Sequence, residues 1–119
     1  MKLSEIMNSP VVVTQENKSV DHVRGLIDRK NINAIPVLNM DGEIRGIVTS
    51  NDIARESDGN KSIAQIMTPR VAVLTPSSGI SDAARMMVDR GIHHIVAMED
   101  GQVVGIVSSL DLVDILSEQ

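Results

Sequence analysis

Apolar residues along the chain alternate between runs typical of strands and spacings typical of helices. Short apolar runs at 10–14 and 71–74 have the length and β-branched content of strands. A helical spacing follows each run, with Ser19 as a predicted cap and with Asn31 and Gly91 as predicted terminators. The predicted apolar stripes are Val20, Val23, Leu26 and Ile27 in the first helix, and Ile80, Ala83, Ala84, Met87 and Val88 in the second.

A hairpin is predicted after each of these helices, over 33–48 and over 93–107. Both segments contain two apolar runs separated by a short polar turn with a glycine. A final helix is predicted to begin near Asp52 after the first hairpin and near Asp111 after the second. The order of elements is therefore β-α-β-β-α, twice.

The two halves of the chain repeat one another. Ile6-Met7 matches Ile66-Met67, Val11 matches Val71, Ile35 matches Ile95, Gly46-Ile47-Val48 matches Gly105-Ile106-Val107, and Asp52 matches Asp111. The polar, turn-rich segment 58–62 separates the copies, which we assign to 1–58 and 59–119. One copy alone buries too little surface for comfortable stability, so the copies are expected to pack on each other.

Composition excludes several classes of function. The formal net charge is -5, there is no basic tract, and there is no Phe, Tyr or Trp, which argues against nucleic-acid binding. The absence of cysteine excludes thiol chemistry. No apolar run reaches the roughly 18 residues of a membrane span, and the first residues lack a signal peptide's apolar stretch. We therefore expect a cytoplasmic protein that does not enter a membrane.

Catalysis and metal binding have little support in the sequence. No His-x-x-x-His, His-Glu-x-x-His or Gly-x-Ser-x-Gly pattern occurs, and no glycine-rich phosphate loop occurs either. His93 and His94 are adjacent on a predicted strand and point to opposite faces, so they are poorly placed to share one metal ion. We predict no catalytic residue and no metal site.

The same short motif ends both hairpins. Thr49 and Ser108 each close a strand, and Asp52 and Asp111 follow three residues later. A strand-to-helix junction presents free N–H groups and a positive dipole end to a phosphate, while the aspartate can accept hydrogen bonds from ribose hydroxyls. The same pattern is also a capping box that merely starts a helix. The two interpretations are compatible, and both stay open here.

The chain resembles a tandem pair of cystathionine beta-synthase (CBS) domains over almost its whole length. The residues that carry the resemblance are Ile6-Met7, Ile66-Met67-Thr68-Pro69, Ala34-Ile35-Pro36-Val37 and the two Gly-Ile-Val-(Thr/Ser)-x-x-Asp endings. The resemblance implies an α/β fold of the α+β type, with two β-α-β-β-α units packed sheet to sheet about a pseudo-twofold axis. It also implies two related clefts between the copies.

The resemblance further implies which residues bind a ligand. One cleft would contain Thr49, Asp52, Pro36, Val71 and Ala72, and the other Ser108, Asp111, His93, His94, Val11 and Val12. The aspartates would accept from ribose, the hydroxyls would contact phosphate or ribose, and aliphatic side chains would hold the adenine. Because the histidines replace Asn33-Ala34, we expect the Asp111 cleft to prefer phosphate-bearing ligands, unless they are ordinary polar residues at a strand start.

The function implied is a regulatory sensor of adenine nucleotides, AMP, ADP or ATP, with no other cofactor. It would control a separate effector protein, form a homodimer, and act without catalysis, nucleic acid or membrane. Two alternatives stay open: a structural or oligomerisation module with vestigial clefts, and a binder of S-adenosylmethionine or another adenosyl ligand.

Overall fold

The computed structural model describes residues 1–118, and its elements follow the predicted order twice. The strands are β1 Thr14–Gln15, β2 Ala34–Leu38, β3 Ile44–Thr49, β4 Val73–Leu74, β5 His94–Glu99 and β6 Gln102–Ser108. The helices are α1 Val20–Lys30, α2 Ser50–Arg55, α3 Ile80–Arg90 and α4 Ser109–Ser117, and short 3-10 turns lie at Leu3–Glu5 and Ile63–Gln65. Among residues 1–118, no helix combines the length and the hydropathy that a membrane crossing needs.

The two sheets have the same topology. In one sheet, β2 lies in the middle, parallel to β1 and antiparallel to β3. In the other, β5 lies in the middle, parallel to β4 and antiparallel to β6. The mixed α/β class and the β-α-β-β-α order are therefore confirmed.

The two sequence copies exchange their first segments, here called the opening segments, when they fold into two compact units. The central unit is Val12–Val71, and the terminal unit is Met1–Val11 together with the chain from Ala72 onward. The copies 1–58 and 59–119 thus describe the duplication in the sequence, whereas each compact unit takes its opening turn from the other copy.

Each exchanged turn inserts a wholly buried aliphatic side chain into its host unit. In the terminal unit, Leu3 is fully buried and its backbone N–H donates to the Ser78 carbonyl at 2.9 Å. In the central unit, Ile63 is fully buried and its N–H donates to the Lys18 carbonyl at 2.8 Å. Both the core and the backbone hydrogen bonds therefore hold the exchanged segments in place.

The core of each unit lies between its sheet and its helices. The buried cluster of the central unit consists of Val20, Val23, Ile27, Ile35, Val37, Val48, Ile53 and Ile63. That of the terminal unit consists of Leu3, Ala72, Ala83, Met87, Ile95 and Val107. The predicted apolar stripes supply most of the helical residues of both clusters, and Ile53 of α2 adds one that the stripes did not include. Ala84 and Val88 lie outside the clusters, and Val88 is 80% exposed, because the buried face of α3 is centred on Ala83 and Met87.

The predicted helix boundaries are confirmed by their caps. The Ser19 hydroxyl accepts a hydrogen bond from the His22 N–H at 3.1 Å, which begins α1. Asn31 and Gly91 end α1 and α3 in the left-handed conformation, with φ of 52° and 62°.

Both opening strands are shorter than the apolar runs predicted to form them. In the terminal unit, the Val96 N–H donates to the Ala72 carbonyl at 3.0 Å and pairing begins at Val73. The matching residue of the central unit is Pro36, which has no N–H to donate, and pairing there begins only at Thr14. The proline therefore removes one rung of the parallel ladder.

Candidate functional site

In each unit, the segment contributed by the other copy, which contains Met67 or Met7, packs against a glycine of β3 or β6. These strands lead directly into the candidate site. Gly46 and Gly105 are buried. A Cβ atom on Gly46 would lie 2.7 Å from both Met67 Sδ and the Thr68 carbonyl oxygen, and one on Gly105 would lie 2.5 Å from Met7 Sδ. The glycines are therefore needed because the methionine-bearing segments lie against the backbone of β3 and β6.

In the central unit, the motif Thr49-x-x-Asp52 forms a complete capping box. The Asp52 N–H donates to Thr49 Oγ1 at 3.3 Å, and the Thr49 N–H donates to Asp52 Oδ2 at 2.9 Å. Both residues are half-buried at the start of α2. The capping interpretation is therefore confirmed here.

In the terminal unit, the motif Ser108-x-x-Asp111 forms the same box. The Asp111 N–H donates to Ser108 Oγ at 3.2 Å, and the Ser108 N–H donates to Asp111 Oδ2 at 2.7 Å. The side-chain amide of Asn8 donates to the same carboxylate oxygen at 3.5 Å. An opening segment therefore lies beside the aspartate.

Capping leaves part of each motif's hydrogen-bonding capacity available to a ligand. The box uses the hydroxyl oxygen only as an acceptor, so the O–H of Thr49 or Ser108 can still donate. It uses one carboxylate oxygen, and the other oxygen of Asp52 or Asp111 can accept a further hydrogen bond. A ribose or phosphate can therefore bind these groups without breaking the start of the helix.

The Asp52 oxygen that the capping box does not use forms an ion pair with an arginine of the same helix. Arg55 Nη2 lies 3.0 Å from Asp52 Oδ1, and the two side chains are 77% and 16% exposed. A shallow pocket of about 220 Å³ opens beside this pair and is lined by Asp52, Arg55, Glu56 and Ile66. The pocket is smaller than those that usually enclose a whole small-molecule ligand.

The two histidines lie beside the terminal motif. His93 is exposed, its carbonyl accepts from the Ser109 N–H at 2.8 Å, and its Nδ1 lies 3.5 Å from Ser109 Oγ. His94 is half-buried and pairs across the sheet with Ser108. The structure therefore brings His93, His94, Ser108 and Asp111 to one end of β5 and β6.

The apolar residues expected to hold a base lie where the chain passes from one unit to the other. Val11 and Val71 are half-buried and end one segment of each unit, while Val12 and Ala72 begin the next. Ala72 is 8% exposed, and Pro36 is buried in the middle of β2. Their contact with an adenine stays a prediction.

Sequence reasoning missed three polar residues of these sites. Arg55 lies one helical turn after Asp52, a spacing at which opposite charges pair, so the sequence contained a signal for it. Glu56 and Asn8 carry no such local signal, since their places depend on the pocket and on the exchanged segment.

Comparison with known proteins gives the same architecture. The family model of the CBS domain matches residues 3–59 and 63–118. The CBS domain pair of protein MJ0100, solved in complex with 5′-methylthioadenosine and S-adenosyl-L-methionine, superposes with a TM-score of 0.90 at 28% identity, covering 99% of this chain and 97% of that one.

Two further similar proteins are longer than this chain, which spans less than half of each. The cytosolic domain of the Mg²⁺ channel MgtE, solved in complex with ATP, has a TM-score of 0.82 at 25% identity over 96% of this chain and 48% of that one. Protein MJ1225 of Methanocaldococcus jannaschii is 30% identical over 116 residues, which are 94% of this chain and 41% of that protein. With both copies matched by the family model and the duplicated fold in place, the chain belongs to the CBS domain family.

Proposed function

We propose that this CBS domain pair binds adenosyl ligands of the AMP, ADP or ATP type at its two hydroxyl-and-aspartate motifs. The observation that carries the proposal is the pair of capping boxes, Thr49 with Asp52 and Ser108 with Asp111, each with an O–H donor and a carboxylate oxygen that the box does not use. These are the groups that a ribose diol and a phosphate need.

Similar proteins support an adenosyl ligand. The CBS pair of MJ0100 was solved with 5′-methylthioadenosine and S-adenosyl-L-methionine, and the cytosolic domain of MgtE was solved with ATP. All three ligands share the adenosine group and differ at the 5′ position. A site built around a ribose acceptor therefore also fits the alternative of an S-adenosylmethionine binder.

The proposed role is regulatory and the proposed location is the cytoplasm. The motif residues are already engaged in starting α2 and α4, which suits a group that binds rather than one that reacts. A bound ligand would act on a separate effector protein by preferring one of two arrangements of the chain, since a ligand shifts a conformational equilibrium only through its different affinities for the two states.

Replacing the aspartates tests the proposed site. We expect Asp52→Asn and Asp111→Asn each to weaken AMP binding at their own site by about 10- to 100-fold, because a hydrogen bond to a charged acceptor is worth roughly 1.5–3 kcal/mol. Thr49 and Ser108 still cap the helices, and the asparagine side-chain oxygen can still accept from their backbone N–H, so the fold should survive. Titration calorimetry of the single and double variants measures the effect.

The control is Asp89→Asn, which removes the same charge from the exposed face of α3. It should leave the affinity unchanged. An Asp52→Asn, Asp111→Asn double variant that binds AMP as tightly as the original protein would refute the assignment of these carboxylates.

We propose in addition that the protein forms a homodimer through α4. Three large side chains at helical spacing lie exposed on this helix: Leu110 at 69%, Val113 at 56% and Leu116 at 67%. The matching residues of the central unit are small or polar, namely Asn51 and Ala54 in α2 and Ser57 just after it. An apolar stripe present on only one of two duplicated helices favours association through that helix with a second copy.

A charge on the stripe tests the dimer. We expect Val113→Glu to convert the dimer to a monomer at micromolar concentration, because the carboxylate would be desolvated in an apolar contact. Ala54→Glu places the same charge at the matching position of α2 and should leave the dimer intact. Light scattering after size exclusion gives both masses; a monomeric original protein, or a dimeric Val113→Glu variant, would contradict the proposal.

A further inference from the structure

The ribose acceptor of the central unit is occupied by an arginine. Arg55 Nη2 lies 3.0 Å from Asp52 Oδ1, so the oxygen that the capping box leaves over already has a partner. The arginine side chain is 77% exposed, whereas that of Asp52 is 16% exposed. Arg55 can therefore turn away from Asp52 into solvent or toward a bound anion, while the aspartate stays fixed by the backbone.

A second ion pair lies at the same pocket. Lys61 Nζ is 2.6 Å from Glu56 Oε1, and Glu56 lines the pocket beside Asp52 and Arg55. The hydrogen bond and the charge of Glu56 raise the pKa of Lys61. The pocket is thus lined by one whole ion pair, Asp52 with Arg55, and by the carboxylate of a second, Glu56 with Lys61.

The terminal unit has the opposite charge at the matching positions. Where the central unit has Arg55 and Glu56, the terminal unit has Asp114 and Ile115. Asp111 therefore faces no arginine from its own helix, and the neutral amide of Asn8 contacts its carboxylate instead. The position three residues after the aspartate is therefore a cation in one unit and a carboxylate in the other.

We infer that Arg55 makes the central unit selective for phosphate-bearing adenosyl ligands, whereas the terminal unit prefers neutral or cationic ones. A neutral adenosyl ligand that binds Asp52 competes with Arg55 for the same carboxylate oxygen and weakens the ion pair. A ligand with a phosphate supplies the guanidinium with a new acceptor of matching geometry. At Asp111 no arginine of the same helix has to be displaced, and the charge of Asp114, three residues further along α4, repels a phosphate and attracts a positively charged group.

The inference rests on the proposed adenosyl binding and reverses the expectation drawn from His93 and His94. A histidine and an arginine can both donate to a phosphate, but the planar guanidinium matches the phosphate oxygens with two donors at once. The expectation from the histidines assigns tighter AMP binding to the terminal site, whereas Arg55 assigns it to the central site.

The test is a titration at pH 8 with AMP and with adenosine, followed by the backbone amide signals of each motif. Thr49 and Asp52 report the central site, and Ser108 and Asp111 report the terminal site. In the original protein the central site should bind AMP more tightly than adenosine. Arg55→Gln should weaken AMP there by about three- to tenfold and tighten adenosine, because it removes both the phosphate partner and the competitor for Asp52.

Two matched variants complete the experiment. Asp114→Arg installs the arginine at the equivalent place in the terminal unit and should shift that site's preference toward AMP. Arg90→Gln removes a cation from the exposed end of α3 and should change neither site.

The outcomes distinguish a failure of adenosyl binding from a failure of the selectivity assigned to Arg55. If neither ligand shifts either pair of amides, adenosyl binding itself fails and the inference fails with it. If ligands bind but Arg55→Gln leaves the ratio of AMP to adenosine affinity at the central site unchanged, the selectivity of Arg55 is refuted while adenosyl binding stands. A terminal site that prefers AMP at pH 8 also overturns the inference.

Discussion

A fragment of residues 12–71 is expected to fold on its own, whereas a fragment of residues 1–58 is expected to stay unfolded. The first contains the whole central unit, including Ile63, which is fully buried in the core. The second lacks Ile63 and carries Leu3 without the cluster that buries it. Burying each such side chain contributes roughly 1.5–3 kcal/mol, a large share of the stability of a domain this small.

Urea titration followed by far-ultraviolet circular dichroism, together with the dispersion of amide signals, measures both fragments. The 12–71 fragment should show a cooperative transition and dispersed signals, and the 1–58 fragment neither. Ile63→Ala in the 12–71 fragment is the internal control and should abolish the transition, because a buried isoleucine reduced to alanine costs about 2–5 kcal/mol. A 1–58 fragment that unfolds as cooperatively as 12–71 would contradict the exchange of opening segments.

Gly46→Ala is expected to lower the free energy of unfolding by about 2–3 kcal/mol, the upper part of the range for overpacking. The new methyl group would meet the Thr68 carbonyl oxygen at 2.7 Å, and that backbone is held by hydrogen bonds of 2.9 Å in both directions with Ile47. Backbone pinned in this way cannot move aside without losing those bonds.

Gly105→Ala should be milder, at about 1–2 kcal/mol, since its closest contact is the flexible end of the Met7 side chain. Gly79→Ala is the control: its new methyl group has no neighbour nearer than 3.6 Å, so the only expected loss is the preference for glycine over alanine at the N-cap of α3, about 0.5–1 kcal/mol. The midpoints of urea unfolding, compared at an unchanged m-value, rank the three variants by stability. Equal effects of Gly46→Ala and Gly79→Ala would show that the opening segment does not lie against β3.

Much of the fold could be predicted because residues close in the sequence determine the helices and their ends. The helical spacing around Val23 and Ala83, the Ser19 cap and the left-handed Asn31 and Gly91 all lie within a few residues of what they determine. The short opening strands could not be predicted from their own apolar residues. Their length depends on whether the facing residue of the middle strand is Pro36 or Val96, which matters only once the strands are paired.

The exchange of opening segments lay beyond local patterns for a related reason. The two opening segments share the dipeptide Ile-Met, at Ile6-Met7 and Ile66-Met67, so this local sequence does not determine which sheet each segment packs against. What decides is the packing of Leu3 and Ile63 in cores formed largely by the other copy. The capping boxes of the site were foreseeable because each spans four residues, whereas the contact of Asn8 with Asp111 joins positions 103 residues apart.

Unfolding the protein in the presence of ligand shows whether this CBS domain pair binds adenosyl ligands. AMP, ADP, ATP, 5′-methylthioadenosine and S-adenosylmethionine are each added to the full chain, with guanosine monophosphate as the control. A ligand present at about 100 times its dissociation constant should raise the free energy of unfolding by about 2.7 kcal/mol. We predict such a rise for at least one adenosyl ligand and a smaller one or none for the control. No rise with any adenosyl ligand at millimolar concentration would contradict the account and favour a structural module with vestigial clefts.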